Sequence, residues 1–490
     1  MLNKIPKPVI DILKKLEENN FEAYIVGGCV RDLLMVDPPA GGPKDWDIAT
    51  NAKPEEIMKI FLDSFYENKF FTVGVKTEDE KFPVVEVTTF RIEQKYSDKR
   101  HPDEVKFAKT LAEDLGRRDF TINALAIGVK SQKSKVKNGF EIIDSFDGQK
   151  DLKNKVIRAV GNPNDRFNED ALRMMRAVRF ASELNFTIEK KTLEAIKKNA
   201  KNLEYIARER IKDELDKIIL SDEPSEGIDM LHEIGLLNYI IPELEKGYGV
   251  EQNRHHIYTI YKHSLMSLKF AKPKKLDLRL AVLLHDIAKP ETKRGEGLYS
   301  TFYNHDHAGA RVSENILKRL RYPNNIIQKV RLLVDNHMFY YNPEEVGESS
   351  VRKLIRKVGL ENMKDLIELR MAERLGSGVP KAKPYKLRHL EYIIEKVSHD
   401  AISVKMLKIN GNDLMKVLNI KPGPKIGAIL DVLLAEAIED PARNTKEYLE
   451  RRALELDKEN LEKLRKMAKE KIEEKKEEED KEIKKKHWVK

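Results

Sequence analysis

Hydrophobic periodicity changes once along this chain, and that change limits the possible folds more than any other feature. Before about residue 145, apolar residues fall partly at helical and partly at period-two spacing. Ile5, Val9, Ile10, Leu13 and Leu16 repeat as on a helix. Ala23 to Val26 form an apolar run ending at Gly27-Gly28, and Phe70 to Val75 and Val84 to Phe90 read as strands. From Asp165 onward almost every segment is helical in period, including Glu169 to Leu184, read as one amphipathic helix, and Arg208 to Leu220. An α+β head followed by an all-α remainder is therefore predicted. With 490 residues the chain has room for about three or four domains. Punctuation near Pro242, histidines at His255 and His256, and the Gly376 to Pro384 run predict divisions 1–145, 146–245, 246–380 and 381–490. The charged C-terminal runs KKEEED and KEIKKK predict a solvated helix that frays.

Composition narrows the function classes. A single cysteine, Cys29, rules out a disulfide framework. There is no apolar signal core at the start and no apolar run of about 18 residues, so a cytoplasmic protein without a membrane partner is expected. The net charge of +9 is spread over a chain that is 35% charged, which suits a polyanionic partner without specifying one.

The chemistry begins at GGCVRDLLM and KDWDIAT. Asp45 and Asp47 stand two residues apart, so on a strand both carboxylates leave the same face. Two such acids repel, and a divalent cation relieves the repulsion; held there, Mg2+ suits in-line displacement at a triphosphate. Alone, this pair more often marks a surface or a turn. The upstream glycine turn shifts the reading, because Gly28 lets backbone amides approach a triphosphate and Arg31 on the next turn supplies a fixed cation. Glu86 alternates with apolar neighbours in VVEVTTFR, and is either a third metal-facing carboxylate or a solvent-face residue. In EDALRMMRAVRF, Asp170, Arg173, Arg176 and Arg179 recur every three residues along one drifting helical face, as an anion or base reader or as an exposed salt-bridged helix.

GG-x-VRD, then D-x-D, then RRDFTINA at Arg117 to Ala124, in this order, resembles the class II members of the polymerase-β-like nucleotidyltransferase superfamily, the bacterial CCA-adding enzymes and poly(A) polymerases. The resemblance implies a nucleotidyltransferase head followed by helical neck, body, HD and tail segments. It implies tRNA as partner, CTP and ATP as substrates, and Mg2+ at Asp45 and Asp47. It makes Arg117, Arg118 and Asp119 candidates for shaping the nucleotide pocket, with Arg118 favoured for ribose or phosphate contact. The family's ED-x-x-R-x-x-R block, carried over, gives Asp170 and Arg173 the Watson–Crick edge of the incoming base, with Arg176 and Arg179 nearby. The following block, Ala207 to Leu215, is assigned mainly to packing. RIEQKYSDKRHPDEV, between Arg91 and Leu115, resembles the flexible loop of enzymes able to add adenosine.

His263, His285-Asp286, His305 and His337 resemble the spaced ligands of an HD-type metal domain, suited to a second divalent metal and to phosphate ester hydrolysis. The family usually closes this set with an aspartate after alanine, where this chain has Glu373 in LRMAERLGSG. INGNDLMKVLNIKPGPKIGAIL predicts two helices around a turn at Pro422-Gly423-Pro424, resembling the tRNA-gripping tail. The leading expectation is template-independent addition of CCA to tRNA. The same chemistry restricted to adenosine addition or poly(A) synthesis is the near alternative. An HD phosphohydrolase or RNA-binding regulator is the distant one.

Overall fold

The computed structural model describes the chain except residues 1–3, 36–41, 44, 68–70, 95–103, 130–138, 254–256, 379–383, 400–406 and 490. His255, His256, Phe70 and most of the expected loop at 91–105 therefore lie outside the described residues or at their edge. Two compact units are present: residues 1–335 with 372–379, and residues 336–371 with 380–490.

The first unit opens with α1 (Lys7–Glu18), which buries Val9, Ile12, Leu13 and Leu16 on one face. Next come β1 (Ala23–Val26), α2 (Gly28–Leu34), β2 (Asp47–Thr50), α3 (Pro54–Ile60), β3 (Ser64–Glu67), β4 (Thr72–Lys76) and β5 (Val84–Thr89). A hairpin, β6 (Arg91–Gln94) with β7 (Glu104–Phe107), then leads to α4 (Leu111–Gly116), β8 (Leu125–Val129), β9 (Phe140–Asp144) and α5 (Gly148–Asn154). The main sheet has the order β3-β4-β5-β2-β1-β8-β9. All its pairs are antiparallel except β2 with β5, which sets Asp47 opposite Glu86. Strand alternation divides the apolar residues. Ile25, Ile48, Val85, Val87 and Ile127 join α1 and α2 in one core, while Val26, Ala49 and Ala126 meet Leu111 and Leu115 of α4 on the other side. By the same parity Asp47 and Glu86 face the α4 side.

The segment read as one helix from Glu169 is two. A short strand, β10 (Val156–Ile157), precedes α6 (Pro163–Glu169) and α7 (Leu172–Leu184). At Asp170 the backbone turns extended, φ −137° and ψ 106°, and its Oδ1 accepts from Leu172 N–H at 3.0 Å. The aspartate therefore starts a new helix instead of continuing the old one. A second short strand, β11 (Thr187–Ile188), pairs in parallel with β10. It is followed by α8 (Lys190–Asn199) and α9 (Arg208–Leu220), which buries Ile211, Leu215 and Ile218. Beyond α9 the unit is helical, as the periodicity predicts. Buried Arg279 donates to the carbonyls of Ala271, Ile219 and Ser221, tying the end of α9 to the next helices.

The second unit is all-helical. Helices Gly411–Leu418 and Pro424–Glu439 flank the predicted Pro-Gly-Pro turn, and their core includes Leu414, Ile429, Leu433 and Leu449. The expected fraying of the terminus is not found: the last helix runs Leu461–Lys486. Its end is tied down by Lys486 to Glu395 at 2.7 Å and His487 to Glu395 at 2.7 Å, partners that a charge run does not announce.

Candidate functional site

A cleft of about 390 Å³ opens on the α4 side of the sheet, lined among others by Asp47, Glu86, Glu67, Asp114, Arg117 and Arg118. Asp47 begins β2 and is partly buried, while Asp45, two residues earlier, is exposed. Burial, opposed by Arg118 and reinforced by Asp45, lifts the Asp47 carboxyl above its ordinary range. Glu86 is raised too, by burial and then by the charges of Asp47, Glu67 and Asp45. Excess negative potential thus collects on this wall, and oxygen donors of this kind suit a hard divalent cation. Among the described residues the three carboxylates are not drawn into a group with all ligand atoms within 4.8 Å. Glu67, on the edge strand beside them, had no signal in the sequence beyond its charge.

Gly27, at φ +85°, precedes α2, and a Cβ there would lie 2.9 Å from an Arg118 guanidinium nitrogen and 3.5 Å from Asp47 Oδ2. Only glycine permits both that backbone and that approach. Gly28 is the first residue of α2. Arg31 is buried rather than presented to the cleft: it pairs with Asp32 at 2.7 Å, donates to Asn123 at 3.0 Å and lies over the Phe180 ring.

Arg117 and Arg118 leave the C-terminal end of α4, where buried Asp114 accepts from Arg117 Nε at 3.0 Å and pairs with Arg118 at 3.5 Å. Burial works to raise the Asp114 carboxyl, but the two guanidinium groups hold it below its ordinary range. The spacing of three and four residues could have revealed Asp114 as their anchor. Asp119 is buried against the neck: Arg176 Nε donates to it at 2.7 Å and Asn123 at 3.3 Å. Burial pushes its carboxyl up, Arg176 and Arg173 overcome this, and it stands at about 2. Asp119 is thus a constant anion joining head to neck.

The neck arginines have separate partners. Arg173 donates to Glu169 at 2.8 Å and to the Arg117 carbonyl at 3.0 Å, at the negative end of α4. Arg179 is buried, pairing with Glu214 at 3.3 Å beneath the Phe180 ring. Asp170 accepts from Arg210 of α9 at 2.8 Å. The Ala207 to Leu215 block therefore does more than pack, since it supplies this partner across 40 residues.

Elsewhere in the first unit, His263, His285 and Asp286 are buried with ligand atoms within 4.8 Å of one another. The Nε2 atoms of His263 and His285 are 3.2 Å apart, and they lie 3.3 and 3.2 Å from Asp286 Oδ2. His305 Nε2 stands 3.4 Å from Asp286 Oδ1. The Nδ1–H groups of His285 and His305 each donate to a carbonyl at 2.7 Å, of Val282 and Phe302, which turns Nε2 toward the cluster. Burial, partly opposed by Asp286, lowers His263 to about 4. Asp286 is held well below the carboxylate range despite burial, by His285 and then Lys289, whose ammonium is 2.7 Å away. Half-buried Glu373 adds negative charge felt by His263 and His285. His337 is buried at the start of the second unit.

Three family models match successive parts of the chain. One for the poly A polymerase head domain matches residues 23–158, one for the RNA- and SrmB-binding site of polymerase A matches 185–247, and one for tRNA nucleotidyltransferase domain 2 matches 299–453. A CCA-adding enzyme of Enterococcus faecalis is 34% identical over 90% of this chain and 94% of its own length. The crystal structure of the Bacillus stearothermophilus CCA-adding enzyme in complex with CTP aligns with TM-score 0.58 and 26% identity, covering 93% of this chain and 98% of that one. A CCA-adding enzyme of Ligilactobacillus salivarius is 36% identical over 462 residues, 93% of this chain and 98% of its own length, and the chain accordingly belongs to the CCA-adding enzyme family of tRNA nucleotidyltransferases.

Proposed function

We propose that this protein adds the 3′-terminal cytidines and adenosine to tRNA, taking them from CTP and ATP and releasing pyrophosphate. The observation that carries this reading is the parallel register setting Asp47 beside Glu86 in a cleft also lined by Arg117 and Arg118. Carboxylates and guanidinium groups line the same cleft, which supplies oxygen donors for a divalent cation and fixed cations for a triphosphate. Asp45 and Asp47 would hold Mg2+, with Glu86 adjacent; when bound, the metal neutralises charge at the reacting phosphate and makes the tRNA hydroxyl a better nucleophile. Arg118, fixed by Asp114, contacts phosphate or ribose, and Gly27 with Gly28 keeps the strand end free of side chains where the triphosphate enters. Asp170 and Arg173 read the base edge. Arg176 and Arg179 hold that helix, through Asp119 and Glu214. The assay that tests the reading offers labelled CTP and ATP separately to tRNA lacking all three terminal nucleotides and to tRNA lacking only the last adenosine. CTP alone is expected to extend the first and ATP alone the second; failure of CTP on the first limits the enzyme to adenosine addition.

His263, His285, Asp286 and His305 form the basis for a second divalent metal, because nitrogen and oxygen donors converge there with fixed imidazole orientation. Glu373, in the same unit, completes the candidate set. His285→Ala is expected to lower the metal content of the purified full-length protein by about one equivalent, while CCA addition stays within about threefold of wild type, since no member of the cluster lines the cleft. Equal metal in the two proteins refutes this second site.

A further inference from the structure

Base selection by a carboxylate works only if the carboxylate is held still. Telling an amine from a carbonyl rests on one acceptor placed to within about 0.5 Å, and a free aspartate rotamer would swing past that tolerance. Asp170 sits where the chain breaks between α6 and α7, with an extended backbone. Two donors fix it. Leu172 N–H reaches Oδ1 at 3.0 Å from its own helix start. From the first turn of α9, Arg210 reaches Oδ2 at 2.8 Å through Nη2 and Oδ1 at 3.5 Å through Nη1, and among the described residues no other side chain donates to Asp170. Asp170 is only 17% exposed at its side chain and Arg210 31%, so the pair is sheltered enough to keep one geometry. A carboxylate offers about four lone-pair directions. With three taken by Leu172 N–H and the two Arg210 contacts, one remains, on Oδ2, for an exocyclic amine.

We propose that Arg210 is the positioning residue for nucleobase choice, clamping both oxygens of Asp170 so that its remaining lone pair faces the incoming base. The proposal rests on Asp170 being the base reader. It also gives the α9 block a reason to be basic at this position. Ile211, Leu215 and Ile218 of the same helix pack inward, and Arg179 pairs with Glu214, so the clamp is carried on an element already locked to α7.

The test measures kcat and KM for CTP, ATP and UTP on primer tRNA with the full-length protein carrying Arg210→Met, Arg210→Lys, Asp170→Ala, or Arg210→Met with Asp170→Ala. Arg210→Gln replaces the methionine variant if that one does not fold. Arg210→Met is expected to cut the CTP-over-UTP efficiency ratio at least about tenfold, chiefly through a higher KM for CTP, and Arg210→Lys to restore the ratio to within about threefold. The double variant is expected to be no less selective than Asp170→Ala alone, because both substitutions remove the same acceptor geometry. An equal slowing of all three nucleotides with the ratio intact would make Arg210 a packing residue and overturn the proposal. A lower KM for CTP would make the ion pair a brake and overturn it as well. If Asp170→Ala itself leaves the ratio unchanged, the base-reader assignment falls, a failure distinct from that of Arg210 alone.

Discussion

Asp47→Ala is expected to reduce nucleotide transfer about a thousandfold, a loss of about 4 kcal/mol in transition-state stabilisation, while tRNA binding measured by gel shift stays within about twofold. The carboxylate stands at the start of β2, in register with Glu86, on the side of the sheet that faces the cleft. Its side chain belongs to neither apolar core: its strand neighbours Ile48 and Ala49 fill the two cores on either side of the sheet. Its carboxyl is raised by burial in the folded chain, so at neutral pH the charge costs stability rather than adding it. The melting temperature of Asp47→Ala is therefore not expected to fall, and lost activity cannot be assigned to unfolding. Asp45→Ala is expected to behave alike in turnover. Either variant retaining more than about a tenth of wild-type turnover would contradict the assignment of these acids to a metal.

Much of this site was legible before any coordinates, and the rest was hidden for reasons that can be named. Period-two alternation puts Asp47 and Glu86 on polar faces of their strands, yet only the parallel pairing of β2 with β5 brings them together, and register between distant strands leaves no local mark. The helical period through Glu169 to Leu184 concealed the break at Asp170, because apolar spacing survives a two-residue interruption. An aspartate before Ala171 and Leu172 is nonetheless a helix-start signal in its own right. Asp114 could have been found from its spacing to Arg117 and Arg118. Arg210 could not, since its partner lies 40 residues away. The histidine and aspartate spacing led to a buried cluster containing His263, His285 and Asp286. What the spacing did not show was Lys289, whose ammonium already shares Asp286 with those imidazoles. Charge runs at the C-terminus read as solvated because a pattern of Lys and Glu carries no record of what the helix packs against.

Asp170→Ala is expected to collapse discrimination between CTP and UTP on the order of a hundredfold, slowing CTP and ATP while relaxing rejection of UTP. Cytosine and adenine share an exocyclic amine beside a ring nitrogen acceptor. A carboxylate can accept from the amine and a guanidinium can donate to the ring nitrogen, so one Asp–Arg pair serves both bases. Uracil and guanine present a carbonyl and a ring N–H at the same places, which sets acceptor against acceptor and donor against donor. Each mismatch strands a desolvated polar group, and the two together cost about 3 kcal/mol. The pair is already oriented in this chain: Asp170 by Arg210 and Leu172 N–H, Arg173 by Glu169 and the Arg117 carbonyl. Alanine removes the repulsion toward uracil along with the attraction toward cytosine, and for this reason the ratio moves more than either rate. Arg173→Ala should do the same with an added penalty, since it also releases the Arg117 carbonyl at the end of α4. The decisive quantity is kcat/KM for CTP divided by that for UTP; if Asp170→Ala leaves it unchanged, another side chain reads the base and α7 reverts to a structural helix.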